Sequence, residues 1–131
     1  PRRRLRPRQR RPALAARLER PEDLLTVPCL SDATWAEDWG HWADKAMPGM
    51  AFRPRGSVFS LYALALAEAL NGAGVLIGHD ALVAEYVERG ELVVPFGPRV
   101  ATGLGLGLWT SRPARRGSPV KVLIDWLRDN P

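Results

Sequence analysis

A chain of 131 residues, 46% hydrophobic and 25% charged, suits one soluble domain with one core and excludes disorder throughout. The sequence pI of 10.3 suggests nucleic acid until the charge is located. Residues 1–20 hold nine Arg and one Glu, a local +8, while the remainder sets ten Lys or Arg against thirteen Asp or Glu, a net −3. A DNA-reading surface carries its cations on the fold itself, so here the basicity belongs to a tail and the body is mildly acidic.

Pro1–Arg11 contains seven arginines and almost nothing to bury, and reads as a disordered arm. Pro12–Leu18 suits a short helix. Pro21, followed by Glu22, Asp23, Leu24 and Leu25, has the order of a first helical turn: proline, acids, then apolar residues. Val27–Leu30 is a short strand. Thr34 and Glu37 have capping-box spacing, and the helix they would open sets Trp35, Trp39 and Trp42 in one apolar stripe that ends at Pro48-Gly49. That stripe suits core packing better than a stacking platform for bases.

Ser60 is placed to cap a helix over Leu61–Asn71. Its leucines, Leu61, Leu64, Leu66 and Leu70, point in several directions, which predicts a helix enclosed on most sides. Gly72 supplies the left-handed stop. Val75–Ile77 is a buried strand. Asp80 caps a third helix with the stripe Leu82, Val83, Tyr86 and Val87, closed by Gly90, and Leu92–Phe96 follows as a strand with Pro95 at its end or edge. Leu104, Leu106 and Leu108 alternate with Gly103, Gly105 and Gly107, a strand that buries one face. Ser118 then caps a last helix, with Pro119 at its first position and Val120, Leu123, Ile124 and Leu127 as its stripe. Helices alternating with short buried strands indicate an α/β layer structure.

Catalytic patterns are missing, so no enzyme, cofactor or metal is expected. Gly56-Ser57 lacks the second glycine of a nucleophile elbow. His41 and His79 have no ligand spacing with each other or with Cys29, and read as solvent-facing or cap-adjacent. Cys29 reads as a small core residue and Glu68 as a rim carboxylate. The glycines at 103, 105 and 107 lie within a strand, unlike a dinucleotide fingerprint, and Gly72-x-Gly74 follows a helix instead of opening one. A single cysteine excludes an intramolecular disulfide and suits a cytoplasmic, reducing setting. No run reaches the ~18 apolar residues of a membrane span, and Pro12–Leu18 is too short for a signal core. With Pro as first residue, the chain reads as a fragment.

Four stretches carry a family likeness: Pro12-Ala-Leu-Ala-Ala-Arg17 with Pro21-Glu-Asp-Leu-Leu25; Phe59-Ser-Leu-Tyr-Ala-Leu-Ala-Leu-Ala-Glu-Ala-Leu-Asn-Gly-Ala-Gly-Val75; Leu82-Val-x5-Arg89-Gly-Glu-Leu-Val-Val-Pro-Phe96; and Pro119-Val-x5-Trp126-Leu127. Pro12–Pro131 thereby resembles the C-terminal effector-binding domain of LysR-type transcriptional regulators, in particular the glycine-cleavage-activator-like subgroup. The resemblance implies a periplasmic-binding-protein-like (type 2) fold: its second lobe, a returning crossover strand near Gly103–Thr110 and a C-terminal helix, together an incomplete two-lobed domain. It places the helix-turn-helix, its linker helix and the first lobe outside these residues. Just before Pro12 the family has an apolar crossover strand where this chain is Arg-rich, as a truncated or frame-shifted gene would produce.

The function so implied is sensing a small anionic metabolite that controls DNA-bound transcription. The resemblance also implies that DNA is touched only through the absent helix-turn-helix and that the full-length regulator is a homo-oligomer, and no membrane partner is expected. At the start of the Leu61–Asn71 helix, free N–H groups and the helix dipole favour a carboxylate. Ser57, Ser60 and Tyr62 would offer hydroxyls there and Phe59 an apolar wall. Ser60 fits a plain N-cap as well as a ligand contact, and family members often have more polar residues where this chain has Ser60, Leu61, Tyr62 and Ala63. The rival reading is a basic-armed, non-specific nucleic-acid-binding protein acting through Arg2–Arg11.

Overall fold

The structure, a computed structural model, describes residues 12–103 and 109–130. The arm Pro1–Arg11 and the Gly/Leu strand over Leu104–Leu108 lie outside the described residues. The chain divides after Val100 into two compact units.

Helix α1 (Pro12–Ala15) is a single turn, with the N–H groups of Arg17 and Leu18 returning to the Leu14 and Ala15 carbonyls at 3.0 and 3.1 Å. Pro21 starts a 3₁₀ helix over Pro21–Thr26, at the position where a missing N–H costs nothing. Asp23 Oδ2 accepts the N–H groups of Glu19 and Arg20 at 2.9 and 3.1 Å, and these bonds hold its carboxyl below the usual 3.8.

Three short strands form the sheet: β1 (Cys29–Asp32), β2 (Val58–Phe59) and β3 (Val75–Leu76), in the order β2-β1-β3. Both pairings are parallel; Ser31 and Asp32 face Val58 and Phe59, and Cys29 and Leu30 face Val75 and Leu76. Parallel neighbours need crossovers, and helices provide them. Helix α2 (Asp38–Ala46) links β1 to β2, and α3 (Tyr62–Leu70) carries the chain past β1 to β3, touching all three strands. Two close approaches depend on glycine. A Cβ on Gly56 would stand 2.3 Å from the Cys29 carbonyl oxygen, and one on Gly74 2.6 Å from that of Pro28.

The core gathers Leu18, Leu24, Val27, Cys29 and Trp39, with Leu14, Trp42, Phe52, Val75, Ile77 and Phe96 packed against it. Trp39 satisfies its indole N–H on the Leu30 carbonyl at 2.8 Å and meets Trp42 edge-on, so this pair packs as expected. Cys29 is fully buried, as its core reading required, and burial pushes its thiol up to about 11.

Several local readings are corrected. The Thr34/Glu37 capping box does not form: residues 34–37 are a turn, α2 starts at Asp38, and its N-cap Glu37 makes no side-chain bond. Asp32 Oδ1 has taken the N–H groups of Thr34 and Trp35 instead, at 2.9 and 3.1 Å. Ser60 does not cap α3; Leu61 is the N-cap, without a side-chain bond. Nor is α3 enclosed, since Leu61 and Leu64 are 58% and 48% exposed while Tyr62 and Ala65 face inward. A helix on one face of a sheet has one buried side, filled here by Tyr62 and Ala65.

Helix α4 (Asp80–Glu88) begins at Asp80 itself, with His79 as N-cap and no side-chain cap bond; Asp80 contributes an acid to the first turn. Gly72 and Gly90 stop α3 and α4 with φ of +81° and +67°, as expected. The expected strand Leu92–Phe96 is irregular: Pro95 has no N–H to pair, no strand among the described residues pairs with it, and Val93 and Val94 are exposed. In the second unit α5 (Pro119–Asp129) forms as expected, with the Lys121 N–H donating to Ser118 Oγ at 3.2 Å. Its residues Val120, Leu123 and Leu127 are exposed and Ile124 half-buried.

Candidate functional site

Because the three strands are parallel, their carboxyl ends at Asp32, Phe59 and Leu76 open on one edge. Ligands of open α/β sheets bind at that edge, where connections leave neighbouring strands in opposite directions. Here the point is β1, flanked by its successor β2 on one side and by β3 on the other.

Side chains from four segments meet there. The Tyr62 hydroxyl donates to the Ile77 carbonyl at 3.2 Å and accepts the His79 N–H at 3.3 Å. His79 Nε2 lies 2.7 Å from Asp38 Oδ2, with both side chains largely buried. Trp35 packs on the His79 ring at 4.0 Å and edge-on to Tyr62 at 5.1 Å. Burial raises the Tyr62 pKa above its ordinary 10.0, the His79 N–H opposes the shift, and the charges of Asp32 and Asp38 add to it. Beside these rings a shallow hollow is lined by Leu30, Ser31, Asp32, Trp35, Asp38, Trp39, Leu76 and Ile77.

The four residues singled out from sequence all fall at the β2–α3 junction. Ser57 is exposed just before β2, and its carbonyl accepts the Ser31 N–H at 3.1 Å. Phe59 is half-buried at the end of β2, where its carbonyl accepts the Ala33 N–H at 2.9 Å. Ser60 is exposed, and with capping excluded its hydroxyl is not consumed by the helix. Tyr62 is the first residue of α3 and is buried; its hydroxyl, expected to face a ligand, instead ties the end of β3 to the start of α4. The Leu64 and Ala65 N–H groups return to the Leu61 carbonyl, so those of Tyr62 and Ala63 have no helical acceptor.

Sequence reasoning passed over Asp32 and Asp38 and gave Trp35 to core packing alone, while His79, read as solvent-facing or cap-adjacent, is the N-cap of α4 and half-buried in a ring cluster. One signal could have found two of them: Asp32 ends β1 and His79 follows shortly after β3, just as Ser60 follows β2. The ends of parallel strands are where such folds hold ligands.

A small parallel α/β unit with polar groups collected at the carboxyl edge belongs to the class of small-molecule-binding domains. Residues 7–131 match the LysR substrate binding domain, and the chain belongs to that family. Among curated relatives it is 34% identical over 108 residues to the HTH-type transcriptional regulator TrpI of Pseudomonas aeruginosa, covering 81% of this chain and 35% of that one. With the HTH-type transcriptional regulator DsdC of Escherichia coli K12 it shares 29% identity over 99 residues, 76% of this chain and 32% of the relative. The chain therefore spans about a third of the length of these curated relatives. A solved structure, the effector domain of the transcriptional regulator AmpR of Pseudomonas aeruginosa, superposes with a TM-score of 0.55 at 30% identity, over 63% of this chain and 39% of that one. The fold is thus of the periplasmic-binding-protein-like class expected for LysR effector domains. No helix among the described residues is long and apolar enough to cross a membrane.

Proposed function

We propose that this chain is the effector-sensing region of a cytoplasmic LysR-type regulator of the glycine-cleavage-activator-like subgroup. It takes a small anionic metabolite at the β2–α3 junction, as the second lobe of a two-lobed domain, and biases a DNA-bound homo-oligomer between two states. DNA contact in the whole regulator is the task of a helix-turn-helix. The family match over residues 7–131 carries the reading. The uncapped start of α3 supports the site, since free N–H groups and the helix dipole attract a carboxylate. Ser60 and Ser57 would add hydroxyls, Phe59 an apolar wall, and Tyr62 its backbone N–H. Acetate, the simplest carboxylate probe, tests this in an amide NMR titration. The expected shifts centre on Ser60, Tyr62 and Ala63 and weaken in Ser60→Ala. Shifts scattered over the surface, with these amides unmoved, refute the site.

A further inference from the structure

The carboxyl edge holds a feature that an anion site does not need. Asp32 is 5% exposed, the one charged residue among the buried side chains described. Its Oδ1 is occupied, accepting the N–H groups of Thr34 and Trp35. Its Oδ2 accepts no hydrogen bond from any described residue, and no described cation pairs with it within 4.0 Å. That oxygen is not sealed away, because no fully buried side-chain oxygen among the described residues lacks a partner. Asp32 also lines the hollow, together with Trp35 and Asp38. Asp38 differs, because it is engaged with His79.

A nearly buried carboxylate oxygen without a donor is costly unless something supplies one. The turn over residues 33–35 does not require the charge, since an asparagine would present the same Oδ1. Asp32 faces Phe59 across the β1–β2 ladder, on strands about 4.8 Å apart, and the unpaired N–H groups of Tyr62 and Ala63 begin three residues later. The edge therefore offers an anion a pair of donors after β2 and a cation an acceptor with an aromatic wall at the end of the neighbouring β1.

We propose that Asp32 is a specificity-determining residue that selects effectors carrying an ammonium beside their carboxylate, the α-amino-acid class, over plain anions. This rests on the effector site proposed above for the carboxylate half. The ammonium donates to Asp32 Oδ2 against Trp35, while the carboxylate accepts from the start of α3.

Amide and indole NMR titrations of the whole chain with glycine, acetate and methylammonium test it. Glycine is expected to bind about tenfold more tightly than acetate, one charge-assisted hydrogen bond's worth, and methylammonium to shift the Thr34 and Trp35 signals. Asp32→Asn keeps the Oδ1 acceptor but turns Oδ2 into a donor, so it should abolish the methylammonium response and the preference for glycine. The wild-type titrations decide the matter even if that variant folds poorly. Equal binding of glycine and acetate, with the α3 amides responding to both, overturns the role of Asp32 and leaves the anion site standing. If neither moves the α3 amides while methylammonium still shifts Trp35 in an Asp32-dependent way, the anion site falls and the cation contact stands. No response to any of the three overturns both.

Discussion

Gly56→Ala is a severe test of the packing of β2 on β1. The added Cβ would lie 2.3 Å from the Cys29 carbonyl oxygen, 2.8 Å from its carbon and 2.9 Å from its nitrogen, all backbone atoms that no rotamer change can move. Ordinary C···O contact begins near 3.3 Å, so the strands must part by about 1 Å. Three bonds span that gap: Cys29 N–H to Arg55 O at 2.7 Å, Ser31 N–H to Ser57 O at 3.1 Å and Ala33 N–H to Phe59 O at 2.9 Å. A further ångström takes them beyond hydrogen-bond range, and each is worth a net ~0.5–1.5 kcal/mol. The expected loss is about 2–4 kcal/mol, a large share of the ~5–15 kcal/mol that holds a domain. Urea unfolding followed by tryptophan fluorescence reads this directly, since Trp39 is bonded to Leu30 on the displaced strand. A midpoint equivalent to a change below about 0.5 kcal/mol, the scale of neutral surface substitutions, would refute the close approach.

Gly40→Ala should act in the opposite sense: the site lies within α2 with nothing within 4 Å of a new Cβ, and a gain of about 0.5–1 kcal/mol in the same titration is expected. Leu24→Ala, at a side chain 2% exposed, should cost about 2–5 kcal/mol in the transfer and cavity terms. Cys29, with its thiol raised from 9.0 to about 11, should resist DTNB until the protein unfolds. Its folded pKa exceeds the unfolded one, so its contribution to stability is complete below pH 9 and falls away as pH climbs through 11, which alkaline melting curves check. Ser118→Ala removes the acceptor of the Lys121 N–H, and should destabilise the start of α5 by about 1 kcal/mol, seen as faster amide exchange over residues 120–123.

What could be read from sequence was what adjacent residues decide among themselves. Ser118-Pro119 starts α5 through contacts three residues apart, and Gly72 and Gly90 stop their helices through their own φ. The start of α2 was missed because Thr34 and Glu37 compete with Asp32, whose position is set by pairing with Phe59 on a distant strand. β2 has two residues, too few for a period, and exists because β1 is beside it. Leu92–Phe96 has the composition of a strand but no pairing strand among the described residues. Ser57, Phe59, Ser60 and Tyr62 fall together at the β2–α3 junction because they are close in sequence. The Asp38–His79 contact joins residues 41 apart, and only the strand order brings them together.

That same strand order explains why the chemistry of the edge emerges late. A polar residue near a strand end invites a functional reading, but most such groups here are used up holding the fold. Tyr62 spends its hydroxyl on Ile77 and His79, His79 engages Asp38, and Asp32 Oδ1 closes a turn. A site binds with the groups its fold leaves unsatisfied, because those alone gain a partner without losing one. At this edge the unpaired groups include the N–H groups of Tyr62 and Ala63, the Ser60 hydroxyl and Asp32 Oδ2. The donors lie one to four residues beyond Phe59, the register partner of Asp32, which carries the acceptor. By this reasoning an effector with only a negative charge would leave Asp32 Oδ2 unanswered, and one with only a positive charge would leave the three donors so.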